Sequence, residues 1–288
     1  MKLFSKLCIC MLALMFILTG FSMPAGAESK TAEIAYVEWS CATSSANVVK
    51  AVLQEKMGYK VELTPVSAAA MWQALSTGDV DAITTAWLPT THHHYYEKVK
   101  DKVENLGHNL EGTKIGLVVP TYVTIDSIEQ LNGNADKFDG KITGIDPGAG
   151  LMSKTEKVIE DYKLDKMELM EGAGAMMTAV LKDRIKNKEW VVVTGWTPHW
   201  KFGRWDLKYL DDPKNVYGGA EYIDTVVRQG LKTDKPDLYQ FLKNFKWTAA
   251  DIQTVMAWNQ KDDSDPYKNA VRWINENPEK VTAWLSAK

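Results

Sequence analysis

The sequence predicts an α/β protein built as two similar lobes, and three observations carry that expectation. The chain has 288 residues, 45% hydrophobic and 25% charged, which is ordinary globular usage. That excludes a disordered, collagen-like or polytopic membrane protein and is long enough for two cores. Short β-rich runs alternate with helical-period stretches, the pattern of mostly parallel sheets flanked by helices. The alternation also occurs twice, with the same element order each time.

The first element is a targeting segment. Lys2 and Lys6 precede an apolar run from Leu7 to Leu18, and Ala25-Gly26-Ala27 supplies the small-residue ending of a secretory signal. Residues 1–27 are therefore expected to be removed. Their loss takes away two lysines and no acid, moving the formal net charge from −3 to −5. Cys8 and Cys10 leave with the segment and lie too early in it to carry a lipid, so the signal reads as release across the inner membrane. Cys41 then remains alone, which excludes an intrachain disulfide and suits a small buried residue. With no basic footprint and no run of like charges, nucleic acid is not an expected partner.

From Glu33 the repeat begins. Its first copy is strand Glu33 to Trp39, helix Ser45 to Met57 capped by Ser44 or Ser45, strand Lys60 to Val66, helix Met71 to Ser76 and strand Asp79 to Trp87. The segment Tyr95 to Val103 also has a helical pattern, followed by strand Lys114 to Val119. The second copy is strand Lys141 to Ile145, helix Ser153 to Tyr162, strand Lys166 to Met170, helix Ala175 to Lys186 and strand Trp190 to Trp196. Met71 corresponds to Met176, and Trp87 before Leu-Pro corresponds to Trp196 before Thr-Pro. The apolar runs Ile115 to Pro120 and Tyr222 to Val227 read as crossings between lobes. The expected division is 28–119 plus 226–288 for one lobe and 120–225 for the other. From Lys235 the chain is helical, with Pro236, Thr248 and Asp265 near helix starts, and should pack on the first lobe.

Catalytic motifs are absent: there is no Gly-x-Gly-x-x-Gly opening a helix, no Walker loop, no Gly-x-Ser-x-Gly and no His-Glu-x-x-His. The run His92 to His94 cannot converge on one metal ion, so one functional histidine and two solvated ones are expected, with no metal or cofactor. What departs from average usage is 11 Trp against 7 Phe. Trp72, Trp190, Trp205, Trp247, Trp258, Trp273 and Trp284 fall where packing accounts for them. Trp39, Trp87 and Trp196 each end an expected strand and precede loop sequence, the side on which open α/β sheets bind ligands.

Three indoles facing one cleft suit a quaternary ammonium, which has no N–H to donate and is held through the aromatic quadrupole. At about 2 kcal/mol for each desolvated contact, three walls supply about 6 kcal/mol. Micromolar binding needs about 8 kcal/mol. A second, anionic end of the ligand would make up the difference by bonding to the N–H groups of Gly150 and Leu151 at a helix opening and to His92. The expected ligand is a small zwitterion.

The segments IAYVEW, ALSTGDVDAITTAWLPTTH, GLVVP, GIDPGAGLMS, TGWTPHW and KYLDDPK resemble the glycine betaine/proline betaine-binding proteins of ABC transporters, over nearly the whole mature chain. The resemblance implies a class II periplasmic-binding-protein fold and a monomeric, non-enzymatic carrier that delivers a betaine to a membrane permease and its ATPase. It also implies that the cage tryptophans are Trp39, Trp87 and Trp196, that the carboxylate-binding histidine is His92 and that the backbone donors are Gly150 and Leu151. Many relatives are lipoproteins, whereas this signal lacks the lipid-bearing cysteine, and Ser40-Cys41 follows the first cage tryptophan where a more acidic sequence is usual. Choline, carnitine or a sulfonium compound are alternative ligands, and a receptor-linked sensor is an alternative role. Cleavage after Ala27 is checked by sequencing the N-terminus of the secreted protein, which is expected to begin at Glu28.

Overall fold

The computed structural model describes residues 30–286; the expected signal segment lies outside them. In chain order the first part comprises β1 (Thr31–Tyr36), α1 (Ser40–Met57), β2 (Lys60–Pro65), α2 (Ala68–Thr77), β3 (Ala82–Leu88), α3 (His93–Val99) and β4 (Val103–Pro120). After 3-10 turns over Ile128–Gln130 and Asn132–Phe138 come β5 (Lys141–Thr143), α4 (Gly150–Asp161), β6 (Glu168–Met170), α5 (Gly174–Asn187), β7 (Val193–Thr197), α6 (Lys201–Arg204) and β8 (Leu207–Tyr209). The return strand β9 (Glu221–Arg228) leads into α7 (Leu231–Asp234), α8 (Pro236–Asn244), α9 (Ala249–Asn259), α10 (Pro266–Glu276) and α11 (Pro278–Leu285).

The strands form one continuous ladder in the order β2-β1-β3-β9-β4-β7-β5-β6, with β8 paired to β4. At each end the pairing is parallel, β1 with β2 and β3, and β5 with β6 and β7. In the middle it is antiparallel. Strand β4 changes partner along its length: Val103 to Thr113 lies against β9, Lys114 to Val118 against β7, and Val118 to Pro120 against β8. One strand thus belongs to both halves of the sheet. On the outgoing strand the change of partner from β9 to β7 falls between Thr113 and Lys114.

Local chemistry sets the helix limits. Ser67 accepts a hydrogen bond from the Ala70 amide at the start of α2, and Gly78 ends it in the left-handed region at φ 81°. Thr248 and Asp251 form a reciprocal capping box on α9, and Asp265 caps α10 ahead of Pro266. The helices after Lys235 cover the first half of the sheet, with α9 and α10 packed on α1. There Trp273 and Trp284 stack with their planes 12° apart, and both are buried, as is Trp247.

Several boundaries differ from expectation for physical reasons. Helix α1 starts at Ser40, so Ser44 and Ser45 are interior residues; Ser44 Oγ donates to the Ser40 carbonyl and Ser45 Oγ pairs with Thr84 Oγ1 on β3. The helix at 95–103 ends at Val99, because Val103 starts the long strand β4. Met71 is buried whereas Met176 is 45% exposed, so the repeat preserves their place in sequence without preserving their packing.

Asp81, buried just before β3, ties this half together. Its carboxylate accepts from the Glu33 amide at 3.0 Å, Arg228 Nε at 3.0 Å and Lys235 Nζ at 2.7 Å. Removing one member of a buried ion pair leaves its partners unsatisfied and costs several kcal/mol. Asp81→Ala is expected to lower stability by about 3 kcal/mol, measured as a reduced urea midpoint with an unchanged slope.

Candidate functional site

All the site residues expected from the sequence line one small pocket, formed by Trp39, Cys41, Trp87, Thr91, His92, Ile115, Ile145, Ala149, Gly150, Leu151 and Trp196. Trp87 is carried by β3 and Trp196 by β7. Trp39 lies beyond β1, which ends at Tyr36, and occupies the N-cap position of α1. The three indoles are 3% to 7% exposed, so they are buried in the pocket walls where projection into a cleft mouth was expected. Ile115 comes from β4, opposite Trp196 in the ladder.

His92 sits at the end of the Trp-Leu-Pro-Thr-Thr turn and is buried, while His93 and His94 are exposed at the start of α3. Its Nδ1 accepts the Trp87 amide at 3.2 Å. That bond requires Nδ1 to be unprotonated and assigns the ring proton to Nε2. Burial, with a smaller contribution from His94, pushes the imidazole down to about 3, so at neutral pH His92 is an uncharged donor. Trp39 at 5.6 Å and Trp72 at 6.0 Å between ring centroids hold it from two sides.

Gly150 and Leu151 open α4, whose bonding starts with Met152 and Ser153 donating to the Ala149 carbonyl. Their own N–H groups find no acceptor among the described residues, as the geometry of a helix start dictates. They face the cavity together with the partial positive charge of the helix. A side chain at Gly150 would run into the Thr91 carbonyl oxygen, so only glycine lets the two halves meet here.

Residues that the sequence reading passed over close the cavity. Trp39 Nε1 donates to Asp146 Oδ1 at 2.8 Å, Tyr95 Oη to the Gly148 carbonyl at 2.8 Å, and Trp200 Nε1 to Ser40 Oγ at 3.1 Å. Each of these bonds runs from one half of the sheet to the other. Buried Glu221 accepts the amides of Thr90 and Thr91 at 2.8 and 2.7 Å and the Thr91 hydroxyl at 2.5 Å, fixing the turn that carries His92. No local spacing signals these pairs, because their members are separated by 53 to 160 positions. Only the doubled repeat, which makes the loops face each other, could have indicated where to look.

Two α/β halves joined by a shared strand, with an aromatic pocket between them, define a two-lobed substrate-binding protein. Residues 30–276 match the family model OpuAC, the substrate-binding domain of ABC-type glycine betaine transport systems, and the chain belongs to that family. The family is one of transporter binding proteins, not enzymes. The chain is 54% identical over 151 residues to the glycine betaine/carnitine transport binding protein GbuC of Listeria monocytogenes, a match spanning 52% of this chain and 50% of that one. Among solved structures it is similar to lactococcal OpuAC in its closed form with glycine betaine, at 39% identity and TM-score 0.85, covering 90% of this chain and 100% of that one. It is also similar to ProX of Borrelia burgdorferi, a glycine betaine/L-proline-binding protein, at 42% identity and TM-score 0.86, covering 89% and 97%.

Because the Gly150 clash runs between the two halves, it opposes closure more than folding. Gly150→Ala is expected to lose ligand binding by at least about tenfold, a change worth about 1.4 kcal/mol. Its melting temperature without ligand should stay within a few degrees of the parent's, checked by calorimetry on the same sample.

Proposed function

We propose that this protein captures a betaine, a zwitterion with a quaternary ammonium and a carboxylate, and hands it to a membrane permease driven by an ATPase subunit. The observation that carries the reading is the meeting of two unlike surfaces in one cavity. Trp39, Trp87 and Trp196 present aromatic faces for a methylated cation. His92 Nε2 and the opening amides of α4 present donors, and no formal positive charge, for a carboxylate. Glycine betaine and proline betaine have both ends, whereas choline lacks the anion that would use the second surface. The proposed setting is extracytoplasmic and the working form a monomer, held at the membrane only through its permease.

In this reading the bodies 28–119 with 226–288 and 120–225 close about strands β4 and β9. Ligand contacts to both bodies shift the population toward the closed form. Titration with glycine betaine should give saturable quenching of tryptophan fluorescence. Trp87→Ala and Trp196→Ala should each weaken binding well over tenfold with the fold intact by circular dichroism, since each removes about 2 kcal/mol of cation–π contact and leaves a gap. A titration in which choline, carnitine or a sulfonium analogue binds more tightly than either betaine would reassign the ligand, and no response to any quaternary ammonium would remove the cage.

A further inference from the structure

Behind the cage lies a cation that the ligand reading does not use. Lys201, the first residue of α6, is fully buried, and its Nζ has no hydrogen-bond partner among the described residues. The ammonium position is 4.4 Å from the centre of the Trp196 ring and 5.5 Å from that of Phe202. Lys201 does not line the cavity, whereas Trp196, the ring it lies over, does. Its stem passes over Gly195, where a side chain would meet Lys201 Cε at 3.6 Å.

The surroundings offer no counter-charge. From α1 comes the buried thiol of Cys41, which burial pushes up to about 11 and so keeps neutral. From the turn before α6 comes His199, whose Nδ1 accepts the Lys201 amide at 3.1 Å and whose imidazole is pushed well down by burial and by Lys201 itself. From β8 comes Tyr209, stacked on Phe202, with its hydroxyl engaged by Thr197 and held protonated by burial. Burial pulls the Lys201 amine down to about 7, into the range where it exchanges a proton near physiological pH.

We propose that Lys201 sets the affinity of the cage: with its ammonium charged behind Trp196 a methylated cation binds weakly, and with the amine neutral it binds strongly. This rests on the betaine reading of the cavity. A ligand cation at a similar distance on the other face of the indole would be about 9 Å from the ammonium, and at an effective dielectric of about 20 their repulsion would change affinity about twentyfold. Closure would act in the same direction: Cys41 on α1 and Trp196 on β7 come from different halves of the sheet and touch beside Lys201, so parting them would return the amine toward water.

The sign follows from linkage: the closed, liganded form binds fewer protons, so ligand binding releases a proton and strengthens as pH rises. Calorimetric titration with glycine betaine should show the dissociation constant of the parent protein falling about tenfold between about pH 6 and about pH 8.5. The heat at about pH 7 should depend on the buffer's ionisation enthalpy in the sense of proton release. Lys201→Met should bind tightly at every pH, with no buffer dependence. A flat profile with saturable binding in the parent protein overturns the role of Lys201 alone, and so does a slope that survives in Lys201→Met. Absence of saturable binding at every pH overturns the betaine reading and this proposal together.

Discussion

The structure depends on one constraint: a single strand, β4, is hydrogen-bonded into both halves of the sheet. Because Val103 to Thr113 pairs with β9 and Lys114 to Val118 with β7, the two halves are continuous in their backbone ladder, and their buried apolar residues form one connected core. This fixes which loops can meet. The turn after β3, the N-cap of α1, the loop before α4 and the end of β7 all open onto the same side, and the cavity is the space they leave. Ile115 sits in the floor because it lies just past the point where the strand changes partners.

Within that frame the cavity is specified by what is missing as much as by what is present. Apolar walls exclude water, and no ion pair among the described residues reaches into the space. His92 is kept neutral by burial and oriented by the Trp87 amide, and α4 contributes dipole without formal charge. A site of this kind discriminates against simple cations and simple anions, because each would leave one of its two surfaces unsatisfied. Glu221 extends the logic outward: a buried carboxylate satisfied by three donors holds the His92 turn rigid without placing its charge in the cavity.

Much of this was legible in the sequence. The doubled βαβαβ pattern, the helices after Lys235 and six of the eleven cavity residues, Trp39, Trp87, His92, Gly150, Leu151 and Trp196, are local signals, carried by periodicity, turn residues and aromatic placement. The strand limits of β4 were not: Asn105 to Glu111 is polar and interrupted by Gly107, and it pairs with β9 through several register shifts, so no alternation marks it. Asp146, Glu221 and Trp200 were illegible for a different reason, since each acts through a partner far away in sequence. Lys201 shows the limit most clearly. Beside Trp200 and Phe202 a lysine reads as a solvated helix start, and only the packing of β7 against α1 reveals it as buried.

The bond from Trp39 to Asp146 has a kinetic side. In the proposed reading, parting the halves would break this bond between a cage wall and Asp146, so an arriving ligand would meet an incomplete box and a departing one would have to wait for the latch to break. Entry is then governed by diffusion and access, and residence by a set of cooperative cross-bonds. Ligands of this site should therefore differ chiefly in how long they stay, and the time spent shut, more than the rate of capture, would become the quantity that the proposed permease reads.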